Sequence, residues 1–225
     1  MRSQLFILGH YAHHCSSLCF PFLLEGKTIN SISKCYDYAR FFFDWMGAFD
    51  GDRNSIYEFR SHAEQGNTTA QNILGKMYEN GDAVPKDYKE AVKWYKKGSD
   101  QGDAPAQYNL ARMYCWGVGV SHDNEEAAGL LQKSAEQGYA WSQKRMGELC
   151  DKGQGVPKDV VQAYKWYDIA GNNSDRFIRT TAIIRKNALA KQMTQSQMQE
   201  ANHFAQEWME LYQNRKKNSP KVIIP

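Results

Sequence analysis

Residues 63–98 read AEQGNTTAQNILGKMYENGDAVPKDYKEAVKWYKKG, residues 99–134 read SDQGDAPAQYNLARMYCWGVGVSHDNEEAAGLLQKS, and residues 135–170 read AEQGYAWSQKRMGELCDKGQGVPKDVVQAYKWYDIA. Laid one above another, the three segments keep step at 36 residues. A fixed period of this length is the signature of a solenoid, whose units bury their apolar faces against one another. Each unit is punctuated as two antiparallel helices. The first carries Leu74, Gly75, Met77 and Tyr78, then Leu110, Ala111, Met113 and Tyr114, then Met146, Gly147, Leu149 and Cys150, a spacing that paints one helical face. Gly81, Gly117 and Gly153 follow at the positions of left-handed C-terminal caps. The second helix opens on Asp87-x-x-Glu90, Asp123-x-x-Glu126 and Asp159-x-x-Gln162, which read as capping boxes. The fold class that follows is all-α: an α-solenoid superhelix of antiparallel helix pairs, with capping helices at its ends.

The second helices place Ala91, Trp94 and Tyr95, then Ala127, Leu130 and Leu131, then Ala163, Trp166 and Tyr167 at equivalent core positions. Small residues let helix backbones approach, and the rings fill the space between units. The Trp-Tyr pairs recur at helical core spacing, so they read as packing rather than as a cofactor box.

These residues resemble the Sel1-like repeat family, relatives of the tetratricopeptide solenoids with a slightly longer unit. The resemblance rests on A-x-x-G-x-x-x-A-Q-x-x-L-G-x-M-Y-x-x-G-x-G-V-x-x-D-x-x-x-A-x-x-W-Y, read almost in full from Ala63 to Tyr95, and it covers residues 63–170. The chain departs from the motif at Ala83, where a Gly is usual, and at Leu130-Leu131, where the Trp-Tyr pair is missing. The segment RKNALAKQMTQSQMQEANHFAQEW is also similar to the closing segment of bacterial members. The resemblance implies a bacterial-type, non-enzymatic interaction scaffold that holds a peptide or protein on its concave face.

Working outward, residues 33–62 read as a degenerate leading repeat, with Tyr38, Ala39 and Phe42 falling on Leu74, Gly75 and Tyr78, and Ser55, Ile56 and Phe59 on Ala91, Val92 and Tyr95. Residues 1–32 form a leader without a clear pattern. Residues 171–213 supply two capping helices, the second with Met198, Ala201, Ala205, Trp208 and Tyr212 in one stripe behind a Thr194-x-x-Gln197 box. Residues 214–225 read as a disordered basic tail.

Composition narrows the partners. With 42% hydrophobic against 24% charged residues, the chain has the material for a core, which excludes disorder. A net charge of +3 creates no field that names nucleic acid or an anionic membrane as partner. The five cysteines are odd in number and irregular in spacing, so they suit free thiols in a reducing cytoplasm. Arg2 and Leu5 to Leu8 begin a secretory pattern that His10, His13 and His14 break, which keeps a periplasmic or secreted protein as the alternative. His10 with His14 and Cys15 with Cys19 share a face at i, i+4 but match no closed zinc pattern, so no metal is assigned.

Function then becomes a question of surface. First-helix positions that the core does not claim include Asn72 and Lys76, then Tyr108, Arg112 and Trp116, then Trp141 and Lys144. Trp116 and Trp141 stand where other units carry Asn, Lys, Thr or Pro, so packing does not demand an indole there. Exposed Trp, Tyr and Arg are the common hot spots of interfaces. These seven residues are the expected partner-binding groove, for a protein or peptide held by a monomer; the alternative is that they cover neighbouring turns. No nucleophile–base pair, carboxylate pair or phosphate loop is legible, and Gly117-Val-Gly119-Val lacks the Gly-Lys-Ser/Thr ending of a phosphate loop. Cysteine-rich relatives linked to β-lactams carry a regular bridged pair per repeat, which this chain lacks, so no catalytic residue and no cofactor is carried over.

Overall fold

The computed structural model describes residues 53–218. The leader, its His10, His14, Cys15 and Cys19, the leading repeat as far as residue 52, and the tail from residue 219 lie outside them. Among the described residues all regular structure is helical: α1 Arg53–Glu64, α2 Thr68–Asn80, α3 Tyr88–Asp100, α4 Ala104–Trp116, α5 Asn124–Glu136, α6 Ala140–Lys152, α7 Val160–Gly171, α8 Arg176–Ala190 and α9 Gln195–Asn218. Helices α2/α3, α4/α5 and α6/α7 are the three pairs, and each starts five residues after the frame quoted above, because the origin of a periodic array is arbitrary. Helix α1 packs on α2, with Phe59 fully buried.

The caps explain why each helix stops where it does. Gly81, Gly117 and Gly153 take φ of 84°, 63° and 69°, and their N–H groups bond Met77, Met113 and Leu149 carbonyls. The Asp87, Asp123 and Asp159 carboxylates each accept two backbone N–H bonds in the first turn of the second helix. The capping boxes expected there are half-used. The Asp87, Asp123 and Asp159 N–H groups donate instead to Tyr78, Tyr114 and Cys150 carbonyls at 2.9, 3.1 and 2.9 Å, because the first helix ends within reach. Glu90 is thereby released to pair with Lys93. At α9, with no such carbonyl at hand, the box closes fully: Thr194 N–H donates to Gln197 Oε1 at 2.9 Å and Gln197 N–H to Thr194 Oγ1 at 3.2 Å.

Successive helices pack in series, and the first helices also touch one another, α2 on α4 and α6 on α8, while α3, α5 and α7 make no comparable contact among themselves. The array therefore bends with its first helices on the inner side. Polar pairs hold the units in register: Gln101 donates to Gln71 at 2.7 Å and Gln137 to Gln107 at 2.9 Å. Within the outer units a ring lies directly on a helical glycine. A Cβ at Gly75 would stand 2.6 Å from the Tyr95 ring, and one at Gly147 would stand 2.7 Å from that of Tyr167. The middle unit makes the same crossing with Ala111 and Leu131.

Helix α9 does not pair with α8 but lies back along α7. Trp208 meets Trp166 edge-on at 6.1 Å and stacks on Tyr212 at 4.9 Å. The Tyr212 hydroxyl rests on Gly138, whose φ of 87° and missing side chain make the contact possible; a Cβ there would fall 2.1 Å from it. The helix runs on to Asn218, so residues 214–218, expected in a disordered tail, continue its last turns.

Candidate functional site

In the first unit Tyr95 donates its hydroxyl to Glu79 at 2.6 Å, and Glu79 reaches Arg112 of the next unit at 2.9 Å. Burial first, then Glu79, push the Tyr95 phenol far above its ordinary range. One period later the tyrosine is Leu131 and the acid is Cys115. Leucine stops short of where a phenol would end. The result is a cleft of about 190 Å³ on the inner face, floored by Leu131 and Cys115. Pockets for free small molecules run to roughly 300–1,000 Å³, so this volume suits a single inserted side chain.

Aromatic residues wall the cleft. Tyr108 on α4 lies 6.4 Å from Trp141 on α6 and 5.5 Å from Tyr139, centroid to centroid, and Trp141 continues to Phe177 on α8 at 5.8 Å. Trp116 closes the other side with the Arg112 guanidinium 4.6 Å over its ring. Both Trp116 and Phe177 are large apolar groups left exposed, at 57% and 61%. Tyr139 is the N-cap of α6, a position filled by Asn67, Asp103 and Asp175 at the other first helices, and it makes no capping hydrogen bond. Such a cap is worth about 1 kcal/mol. Local stability is forgone where the ring contact with Tyr108 is gained.

The charged rim is held in place. Glu148 on α6 takes Lys144 at 3.0 Å and Arg145 at 2.5 Å. Burial pushes its carboxyl up, but hydrogen bonds from Arg145 and Lys144 outweigh that and leave it below its ordinary value. Burial lowers Arg145, and its bond to Glu148 more than restores it. Burial raises the Tyr108 and Tyr139 phenols, which stay neutral hydrogen-bonding groups. Among the described residues no group of three or more His, Cys, Asp or Glu is placed to hold a metal ion, and no helix is long and apolar enough to cross a membrane. A second, wider recess, where α9 passes the α5–α6 turn, is walled by Lys133, Glu136, Tyr212, Arg215 and Lys216.

Of the residues expected in the groove, Tyr108, Arg112, Trp116, Trp141 and Lys144 meet at this cleft. Asn72 does not: it is buried and accepts a hydrogen bond from Asn109 at 2.8 Å, an inter-unit contact between α2 and α4. Lys76 is exposed on α2 but is not part of the cleft lining. Sequence reasoning missed Arg145, Phe177 and Tyr139. Phe177 stands 36 residues after Trp141, so the period itself points to it.

Comparison with known proteins follows the same lines. The profile of the Sel1 repeat family matches residues 68–103, 104–139 and 142–175. Among solved structures the chain is similar to c5321, a protective antigen present in uropathogenic Escherichia coli strains and displaying an SLR fold, with 26% identity and a TM-score of 0.53 over 76% of this chain. The chain spans 45% of that protein's length. A Sel1 repeat protein from Oxalobacter formigenes is 29% identical with a TM-score of 0.52, over 57% of this chain and 97% of its own. No curated protein of established function matches the sequence.

Proposed function

Since residues 68–175 are three Sel1 repeats and the chain is a Sel1-like repeat protein of α-solenoid fold, we propose that it is a non-enzymatic scaffold that holds a peptide or protein on its inner face. Sel1 repeat proteins generally serve as protein-interaction scaffolds. The observation that carries the finer reading is the cleft where Tyr108, Arg112, the exposed Trp116, Trp141 and Lys144 converge, with the exposed Phe177 ring beside Trp141. Aromatic and Arg side chains around a desolvated recess are what an interface hot spot needs.

The test is affinity capture from the native cell with the full chain, against a Tyr108→Ala, Arg112→Ala double variant checked for helicity. Partners retained by the parent and lost by the variant support the reading; a variant that keeps every partner refutes it. The description of c5321 as a protective antigen favours a second reading, an exported protein that meets a host or envelope partner. Removal of about the first 25 residues from the mature protein, seen by intact mass, would select it. A β-lactam hydrolase is the remaining alternative, and nitrocefin turnover by the purified protein would be needed to sustain it.

A further inference from the structure

Charge is sorted between the two layers of the array. The first helices α2, α4, α6 and α8 carry nine Lys and Arg against three acids, and α8 holds no acid at all. The other five helices carry eleven basic and eleven acidic residues. The net charge of the chain therefore hides an inner layer that is distinctly basic. At the cleft Arg112, Lys144 and Arg145 face two carboxylates, Glu79 and Glu148. Beyond Phe177, Arg176 and Arg179 are exposed on α8, with the N-cap Asp175 as the acid beside them. A ligand lying across α4, α6 and α8 thus meets an apolar recess bordered by three cations that share two carboxylates and, on α8, by the exposed Arg176 and Arg179.

The recess has a mould within the same molecule. Where the middle unit has Leu131 over Ala111, both flanking units hold a tyrosine ring over a glycine. Ring walls from Tyr108, Trp141 and Trp116 add edge and face contacts that favour another aromatic group. We propose, resting on the scaffold reading above, that the inner face binds an extended acidic peptide segment whose aromatic side chain enters the middle-unit cleft while its carboxylates lie along Arg112, Arg145 and the α8 arginines. A nucleic acid fits less well, because Glu79 and Glu148 interrupt the cations beside the cleft and leave no continuous track for successive phosphates.

The test pans a random heptapeptide display library on the immobilised full chain, then measures selected peptides by fluorescence anisotropy. The decisive variant is Ala111→Gly, Cys115→Glu, Leu131→Tyr, which gives the middle unit the Gly–Tyr–Glu set of the first and fills the cleft with the protein's own ring. Because that set is native to the array, the variant is expected to keep its helicity and melting behaviour; should it unfold, Trp116→Ala at the exposed rim takes its place. The expected result is a consensus with one aromatic residue among Asp or Glu. Replacing that aromatic residue by Ala, or filling the cleft, should weaken binding at least tenfold, and raising salt from 50 to 200 mM should weaken it further, these conditions being chosen for roughly a halving of the Debye length. No enriched peptide, a basic or non-aromatic consensus, binding indifferent to the filled cleft, or tighter binding of a single-stranded oligonucleotide would each overturn the proposal. If cellular partners are lost with Tyr108→Ala, Arg112→Ala but survive the filled cleft, the scaffold reading stands and this assignment of its occupant falls.

Discussion

In the first and third units a tyrosine ring lies across a helical glycine; in the middle unit a leucine lies across an alanine, and the acid that meets the first tyrosine is replaced by Cys115. All three crossings are closed cores, with Tyr95, Leu131 and Tyr167 at 0%, 1% and 1% exposure. The difference shows at the inner surface. A side chain that ends early leaves a recess between α4 and α6, and the exposed and half-exposed rings gather round it. In a repeat array the common pattern carries stability, and the unit that breaks the pattern gains a surface of its own.

The comparison is broken hardest at the second-helix core. Trp94→Ala in the first unit should cost about 3–5 kcal/mol through the cavity it leaves, and Leu130→Ala, the middle-unit equivalent, should cost less because a smaller side chain is removed. Denaturant midpoints measure both; equal losses would mean that the units do not differ in how tightly they are packed. Next comes the crossing itself. Gly75→Ala gains about 1 kcal/mol of helix propensity but drives a methyl into the Tyr95 ring at an overpacking cost of about 1–3 kcal/mol, so a net loss is expected. In a Tyr95→Leu background, which copies the middle unit, the same change should be tolerated, and a double-mutant cycle without coupling would contradict the steric account.

Smaller effects sharpen the contrast. Tyr139→Asp restores the cap found at Asn67, Asp103 and Asp175, so the protein should gain about 1 kcal/mol in stability while peptide binding weakens. A gain in both would show that the ring at Tyr139 serves nothing at the site. The mildest test is acid titration. Because the Glu148 carboxyl is held below its ordinary value when folded, its contribution is full above the unfolded carboxylate range and is lost as pH falls through the folded value. Glu148→Gln should cost below about 1 kcal/mol at neutral pH and flatten the acid limb of the stability profile.

The architecture was legible because period, caps and core positions all repeat, and each repetition tests the others. The Gly81, Gly117 and Gly153 caps fall where the spacing places them. The site was legible in part. Positions outside the core were identifiable as such, but Asn72 shows why that is insufficient: the same register that leaves it off its own unit's core turns it toward Asn109 of the next. The missing Trp-Tyr pair at Leu130-Leu131 was visible as a departure, whereas the cleft it opens depends on whether neighbouring atoms collapse into the space, which no single-chain pattern encodes. The half-used capping boxes have a similar origin, since a carbonyl from another helix outcompetes the local side chain.

Helix α9 has a mechanical consequence. A solenoid whose units touch only their neighbours behaves as a spring, free to bend and twist a little at every joint. By crossing from Trp166 on α7 to Gly138 in the turn between α5 and α6, α9 acts as a splint across the joint between the middle and third units. That joint is the one whose inner side carries Tyr108 and Trp141. The stretch of the spring that bears the cleft is thus the stretch held stiff, and a ligand seated there has little wobble left to suppress.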